Sequence, residues 1–190
     1  MRTSVRSLSL KIRPIPSSLI RSFASDYFAT LNVPRKFAIS NEELKQSYHK
    51  LMSELHPDRQ SQKSSHDQEH AAAGASHVTN AYNVLSKPHE RAVHMLELLD
   101  RPLEEATGSE LVGSEFLMEM MELREDIASA ADQEVLVKMM QVNQARVEGL
   151  CAKLADAFDA TDLASALKLT AELQYLNRVD ETLREKINVV

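Results

Sequence analysis

Ser40-Asn41-Glu42-Glu43-Leu44-Lys45-Gln46-Ser47-Tyr48-His49-Lys50-Leu51-Met52-Ser53-Glu54-Leu55-His56-Pro57-Asp58 is the stretch on which the fold turns. Ser40 and Glu43 have the spacing of a capping box, in which the serine hydroxyl and the glutamate carboxylate each take one backbone N–H at a helix start. Leu44, Tyr48, Leu51 and Leu55 follow at steps of four, three and four, which lines them along one face. Lys45, His49 and Lys50 fall off that stripe, so the helix shows solvent a partly basic face. Pro57 has no N–H and ends it. His56-Pro57-Asp58 therefore stands at a helix terminus, at the start of the polar loop from Arg59 to Asp67.

The flanks continue the helical pattern. Upstream, Asp26 to Leu31 reads as a short helix started by Asp26, with Asn32 as a left-handed C-terminal cap and Pro34 forbidding continuation. Downstream, Glu69 to Leu85 is helical, with Ala71, Val78, Tyr82 and Leu85 inward and Pro88 closing it. Gly74 weakens this helix by about 1 kcal/mol relative to Ala, or lets another backbone come close. Two antiparallel helices and a shorter one before them make a small bundle, with His56-Pro57-Asp58 at its tip.

These features in this order resemble a J domain: Asp26-Tyr27-Phe28, the Leu44/Tyr48/Leu51/Leu55 helix, His56-Pro57-Asp58, Asn80-Ala81-Tyr82-Asn83-Val84-Leu85-Ser86-Lys87-Pro88, and Arg91. The resemblance implies docking on a DnaK-type heat-shock chaperone and stimulation of its ATPase through His56, Pro57 and Asp58. Proline holds the turn, the aspartate offers a carboxylate to a cation on the partner, and Lys45, Lys50 and Arg59 supply a basic face for an acidic chaperone surface. Asn32 and His94 stand where many J domains carry Gly and Tyr.

The rest of the chain is also helical. Pro88 to Leu99 reads as a connecting helix, with a break at Asp100-Arg101-Pro102 and Thr107-Gly108-Ser109. Three amphipathic stretches follow. Glu115 to Ala128 begins after Gly113, with Ser114 as its N-cap. Gln133 to Phe158 carries Val135, Met139, Val142, Leu150, Leu154 and Phe158. Asp162 to Ile187 carries Leu163, Leu167, Leu173, Leu176, Val179, Leu183 and Ile187. Short connections, with Ala160-Thr161-Asp162 as turn and cap, predict an antiparallel bundle. In the first stretch Phe116, Met120 and Leu123 suffice for a core face. Leu117, Met118 and Met121 are left as a candidate exposed patch beside Glu122 and Glu125. Such patches mark partner surfaces, and methionine adapts to them.

Phe116 to Glu125 is similar to the signature stretch of the HscB/Jac-type co-chaperones of iron–sulfur cluster assembly. That resemblance runs from about residue 26 to 187. It implies an all-α chain with an N-terminal J domain and connecting helix (26–99), a linker (100–113) and a C-terminal antiparallel three-helix bundle (114–190). It also implies an IscU-type scaffold protein held through Leu117, Met118, Met121, Glu122, Glu125 and Tyr175, and delivered to a DnaK/HscA-type ATPase so that ATP hydrolysis promotes cluster transfer. Tyr175 lies off the 173/176/183/187 stripe, where an exposed anchor belongs.

Residues 1–25 carry Arg2, Arg6, Lys11, Arg13 and Arg21 and no acid, while the remaining 17 basic residues face 28 acidic ones, a net −11. An Arg- and Ser-rich, acid-free start reads as a mitochondrial transit peptide, cut after Phe23, which directs the chain to the matrix. Val5, Leu8 and Ile12 share one face of that segment, which cannot remain helical past Pro14 and Pro16. So acidic a body is a poor non-specific nucleic-acid binder, and no stretch is long and apolar enough to span a membrane. A single Cys151 allows neither an intramolecular disulfide nor a cysteine zinc site. His66, His70 and His77 put at most two rings on one helix face, so no metal or cofactor is expected. No nucleophile or glycine-rich phosphate loop accompanies His56 and Asp58, which argues against an enzyme. The remaining alternative, a general J-protein for other clients, lacks a Gly/Phe-rich linker and a zinc-finger client domain here.

Overall fold

The computed structural model describes residues 26–55 and 65–189, and all its elements there are α-helices: α1 Tyr27–Thr30, α2 Asn41–Glu54, α3 Ser65–Ser86, α4 Pro88–Leu98, α5 Glu105–Val112, α6 Ser114–Ser129, α7 Gln133–Asp159 and α8 Leu163–Val189. The fold class is as the periodicity predicts. The 1–25 segment and His56, Pro57, Asp58 and Arg59 lie outside the described residues, as do the side chains of His66 and His70.

Local chemistry explains each start. Asp26 accepts from the N–H groups of Phe28 and Ala29 and starts α1. Asn32, at φ 53°, ends it in the left-handed region, which asparagine tolerates better than most residues. Both halves of the Ser40–Glu43 capping box are formed at α2. Leu44 is buried and Tyr48, Leu51 and Leu55 are half-buried against α3, where Tyr48 stacks on Tyr82 with centroids 4.6 Å apart. Pro88 opens α4, where the missing N–H costs nothing.

Arg91 on α4 joins the two halves. Its guanidinium is buried and donates to the carbonyls of Leu85 (2.7 Å), Phe37 (2.6 Å) and Ile39 (3.2 Å), while lying 5.5 Å from the Phe37 ring centroid. Phe37 in turn stacks on Phe158 of α7, centroids 5.6 Å apart. One hydrophobic core runs from Phe28 through Leu96 to Leu183, so the J unit and the bundle are packed together. Within the bundle α8 is the central helix, lying along α7 and touching α4, α5 and α6. Buried Asn143 of α7 donates to the Leu176 carbonyl of α8 at 3.1 Å, a polar contact of the kind that sets helix register.

The structure differs from the sequence pattern in three places. The 100–113 stretch holds α5, which packs on α8, where a break was expected. Ser114 is the first helical residue of α6 with no capping bond; the preceding position is Gly113 at φ 81°. On α7 Leu150 and Leu154 are buried as expected, while Leu136, Asn143 and Ala157 take the inward positions expected for Val135, Val142 and Phe158. Val135 and Val142 are left 43% and 62% exposed.

Two side-chain environments yield predictions. Thr161, between α7 and α8, sits at φ 58°, a costly place for a β-branched residue. Thr161→Gly should raise stability by about 0.5–1 kcal/mol after the entropy lost by adding glycine; an unchanged or lower urea midpoint would contradict this.

His94 is buried, and its Nε2 accepts the Tyr27 N–H at 3.2 Å, so the ring is neutral. Burial holds its pKa below the usual histidine value despite Glu97 and Asp26 nearby; Arg35 adds to the lowering. Burial also lowers His89, with Glu90 opposing and Arg178 assisting. The unfolded chain binds protons on these rings below about pH 6.5 while the folded chain resists. Their contribution is therefore intact above 6.5 and shrinks as the pH falls toward the folded values. Urea midpoints should drop from pH 7 to 5, and His89→Gln with His94→Gln should remove most of that slope.

Candidate functional site

Two surfaces carry the chemistry that the sequence singles out. The first belongs to α2, where Lys45 and Lys50 are exposed and lie off the buried stripe. The second is on α6. Met120 and Ile127 are buried and Phe116 and Leu123 half-buried, so the inner face is filled without help from the outer one. On the outer side Met118 and Met121 are 61% and 63% exposed. Leu117 beside them is half-buried, and Glu122 and Glu125 are exposed. The helix is fastened at its far end by Lys186 of α8, whose Nζ donates to the Ile127 and Ala128 carbonyls, each at 2.5 Å. That cation answers carbonyls the helix cannot satisfy internally and suits the negative end of its dipole.

Tyr175 is half-buried on α8 rather than standing free. Its ring meets Phe116 edge-on, centroids 5.9 Å apart at 79°, and the Arg178 guanidinium lies 5.9 Å from its centroid. It therefore braces the first turn of α6 and borders the patch through Phe116. Leu117, Met118, Met121, Glu122 and Glu125 share one helix; Tyr175 joins them from the next.

The arrangement suits recognition better than bond-making. Soft, exposed methionines ringed by carboxylates form a surface for an apolar spot with a cationic rim on a partner. Among the described residues no group of three or more His, Cys, Asp or Glu could hold a metal ion. His77, whose ring could have suggested a ligand, has its Nε2 3.1 Å from the Thr30 hydroxyl. Burial pushes the Cys151 thiol up, against the pull of Arg91, so it remains a thiol. Sequence reasoning missed the open flank of α7 with Val135 and Val142; the signal was the adjacent apolar pair Val135-Leu136, either of which could have faced inward, whereas nothing local shows that polar Asn143 is buried in place of Val142.

Comparison with known proteins agrees with this architecture. A DnaJ domain matches residues 26–94, and an HSCB C-terminal oligomerisation domain matches residues 112–184. The chain is 26% identical over 161 residues to the human "Iron-sulfur cluster co-chaperone protein HscB", covering 85% of this chain and 68% of that one. It is 32% identical over 152 residues to the Schizosaccharomyces pombe "J-type co-chaperone jac1, mitochondrial", covering 78% and 65%. The crystal structure of human HscB superposes with a TM-score of 0.80 at 24% identity, over 88% of this chain and 84% of that one. A J unit followed by an acid-faced helical bundle defines a J-domain co-chaperone, a regulator rather than an enzyme. The chain belongs to the HscB/Jac family of iron–sulfur cluster co-chaperones.

Proposed function

We propose that this protein binds an IscU-type iron–sulfur scaffold on α6 and presents it to a DnaK/HscA-type chaperone in the mitochondrial matrix, stimulating that chaperone's ATPase so that the cluster is transferred. Residues 1–25 act as the transit peptide. Residues 26–99 recruit the chaperone through His56, Pro57 and Asp58 with Lys45, Lys50 and Arg59. Residues 100–113 connect, and 114–190 hold the scaffold through Leu117, Met118, Met121, Glu122, Glu125 and Tyr175. Holding both partners on one chain raises the local concentration of scaffold at the chaperone. One observation carries the reading: α6 exposes two large methionines that its own core does not need. An exposed apolar patch with a polar rim is retained where a partner covers it.

Met118→Ala, Met121→Ala and Glu122→Lys together test it. Each side chain is exposed, so the fold should be unchanged. Truncating central apolar contacts and reversing a rim charge should weaken scaffold binding by about 100-fold or more. Chaperone ATPase stimulation by the J unit alone should be retained. Unchanged calorimetric affinity for the scaffold would instead point to a general J-protein with other clients. Tyr175→Ala is a poorer probe, because it also unseats Phe116.

A further inference from the structure

We infer that the scaffold's contact continues from α6 onto α7, where Val135, Met139 and Val142 take an apolar spot of the scaffold and Glu115, Glu122 and Asp126 take cations beside that spot. The inference rests on the reading that α6 holds the scaffold. Glu115, Glu119, Glu122 and Asp126 recur on α6 at i, i+4, i+7 and i+11. Val135, Met139, Val142 and Arg146 recur on α7 at the same spacing. Each set therefore lies along one side of its helix. The Arg146–Glu119 ion pair, at 2.8 Å, turns the two sides toward each other.

This flank is continuous with the methionine face. Glu122 belongs to both, next to Met121 and one turn from Met118 on one side, and in the carboxylate row toward α7 on the other. Beyond it the seam is open. Val142 is 62% and Val135 43% exposed, and Met139 is half-buried. Glu115, Glu122 and Asp126 are exposed and have no ion pair among the described residues. Glu119 already answers the charge of Arg146, so the free charge of the seam is negative.

Size and charge select the occupant. A specific protein–protein contact takes about 20–30 residues on each side, and Leu117, Met118, Met121, Glu122, Glu125 and Tyr175 are a fraction of that, so the contact spreads to adjoining surface. On the α8 side Tyr175 is half-buried between Phe116 and Arg178. On the α7 side Val135 and Val142 stand outside the hydrophobic core and are free to be covered. Other occupants fit worse. A second copy would bring carboxylates against carboxylates. A chaperone surface that suits Lys45 and Lys50 is acidic, and this flank repels it.

The experiment is titration of the chain with the IscU-type scaffold, read by calorimetry and by association rate. Val135→Gln with Val142→Gln should weaken scaffold affinity about 10-fold, the scale of two truncated apolar contacts inside an interface. Both positions face solvent and glutamine is a good helix former, so the melting temperature should hold. Glu115→Lys with Asp126→Lys should slow association and flatten its dependence on salt. Stimulation of the chaperone ATPase without scaffold should be unchanged in both. Met118→Ala with Met121→Ala is the control for the α6 reading. If the methionine pair loses affinity while the valine and carboxylate variants bind as the unaltered chain does, the extension onto α7 is overturned and the α6 site stands. If the methionine pair also binds normally, the α6 reading falls and the inference with it. A valine variant that binds scaffold normally but changes ATPase stimulation or sedimentation assigns the flank to the chaperone or to a second copy, and overturns the inference.

Discussion

Arg91→Ala is expected to cost about 3–5 kcal/mol of unfolding free energy, the summed scale of buried carbonyls left without their donor. The guanidinium donates to three carbonyls in a site closed to water. Two of them, Phe37 and Ile39, lie in the chain between α1 and α2. The third, Leu85, lies in the last turn of α3, where carbonyls lose their helical partners. Truncation leaves the Leu85 and Ile39 carbonyls unanswered and the Phe37 carbonyl with only the Ile39 N–H, at about 1–3 kcal/mol for each unsatisfied group that cannot reach water. It also removes the cation from the Phe37 ring, which seats the J unit on Phe158. Burial lowers the guanidinium pKa, yet arginine's starts so high that the charge is kept. Arg91→Lys should recover only part of the loss, since one ammonium cannot reproduce a planar fork aimed at three oxygens. For a chain of this size the alanine variant should melt on the order of 10 °C lower. A shift below about 1 kcal/mol would show that water or neighbouring groups replace the bonds.

Arg91 also shows what the sequence could and could not reveal. Its presence was legible as part of a J-domain pattern, but its three acceptors come from segments 6, 52 and 54 residues away. No local spacing encodes such distances. By contrast, the Ser40–Glu43 box, the Asp26 cap and the Asn32 left-handed turn depend on residues within four positions, and each formed as read. The methionine face of α6 was legible for a similar reason: one helix had more apolar residues than one face can bury. The α7 stripe misled because Val135 and Leu136 are adjacent and both apolar. The choice was settled by burial of Leu136, Leu150 and Leu154 in the common core. Tyr175 was legible as lying off the core stripe but not as a brace, since its partner Phe116 is 59 residues away. Helix α5 was missed because Thr107-Gly108-Ser109 weakens local propensity, which packing on α8 outweighs.

Asp58→Ala should abolish stimulation of the chaperone ATPase while scaffold binding is retained. Helix α2 ends at Glu54, with the Leu55 N–H still bonded to the Leu51 carbonyl, and α3 begins at Ser65. His56-Pro57-Asp58 follows Leu55 directly in the sequence, 59 residues before Leu117. Proline restricts both its own φ and the conformation of His56, so Asp58 follows two backbone positions with little freedom. A carboxylate held that way loses little entropy on meeting a cation. Removing it from a desolvated charge pair costs about 2–5 kcal/mol, or about 30- to 5,000-fold in affinity for the stimulated state. Asp58→Asn separates charge from shape. It retains an acceptor oxygen and the size of the side chain, so loss of stimulation in both variants assigns the effect to the charge. Retention in Asp58→Asn alone would assign it to a neutral hydrogen bond, and retention in Asp58→Ala would remove the tripeptide from the docking surface. Because the proposal assigns the chaperone to the tripeptide and the scaffold to the methionine face of α6, the Asp58 and Met118/Met121/Glu122 variants should fail in opposite assays. Mixing the two in one reaction should not restore cluster transfer, since tethering of scaffold to chaperone requires both surfaces on the same chain.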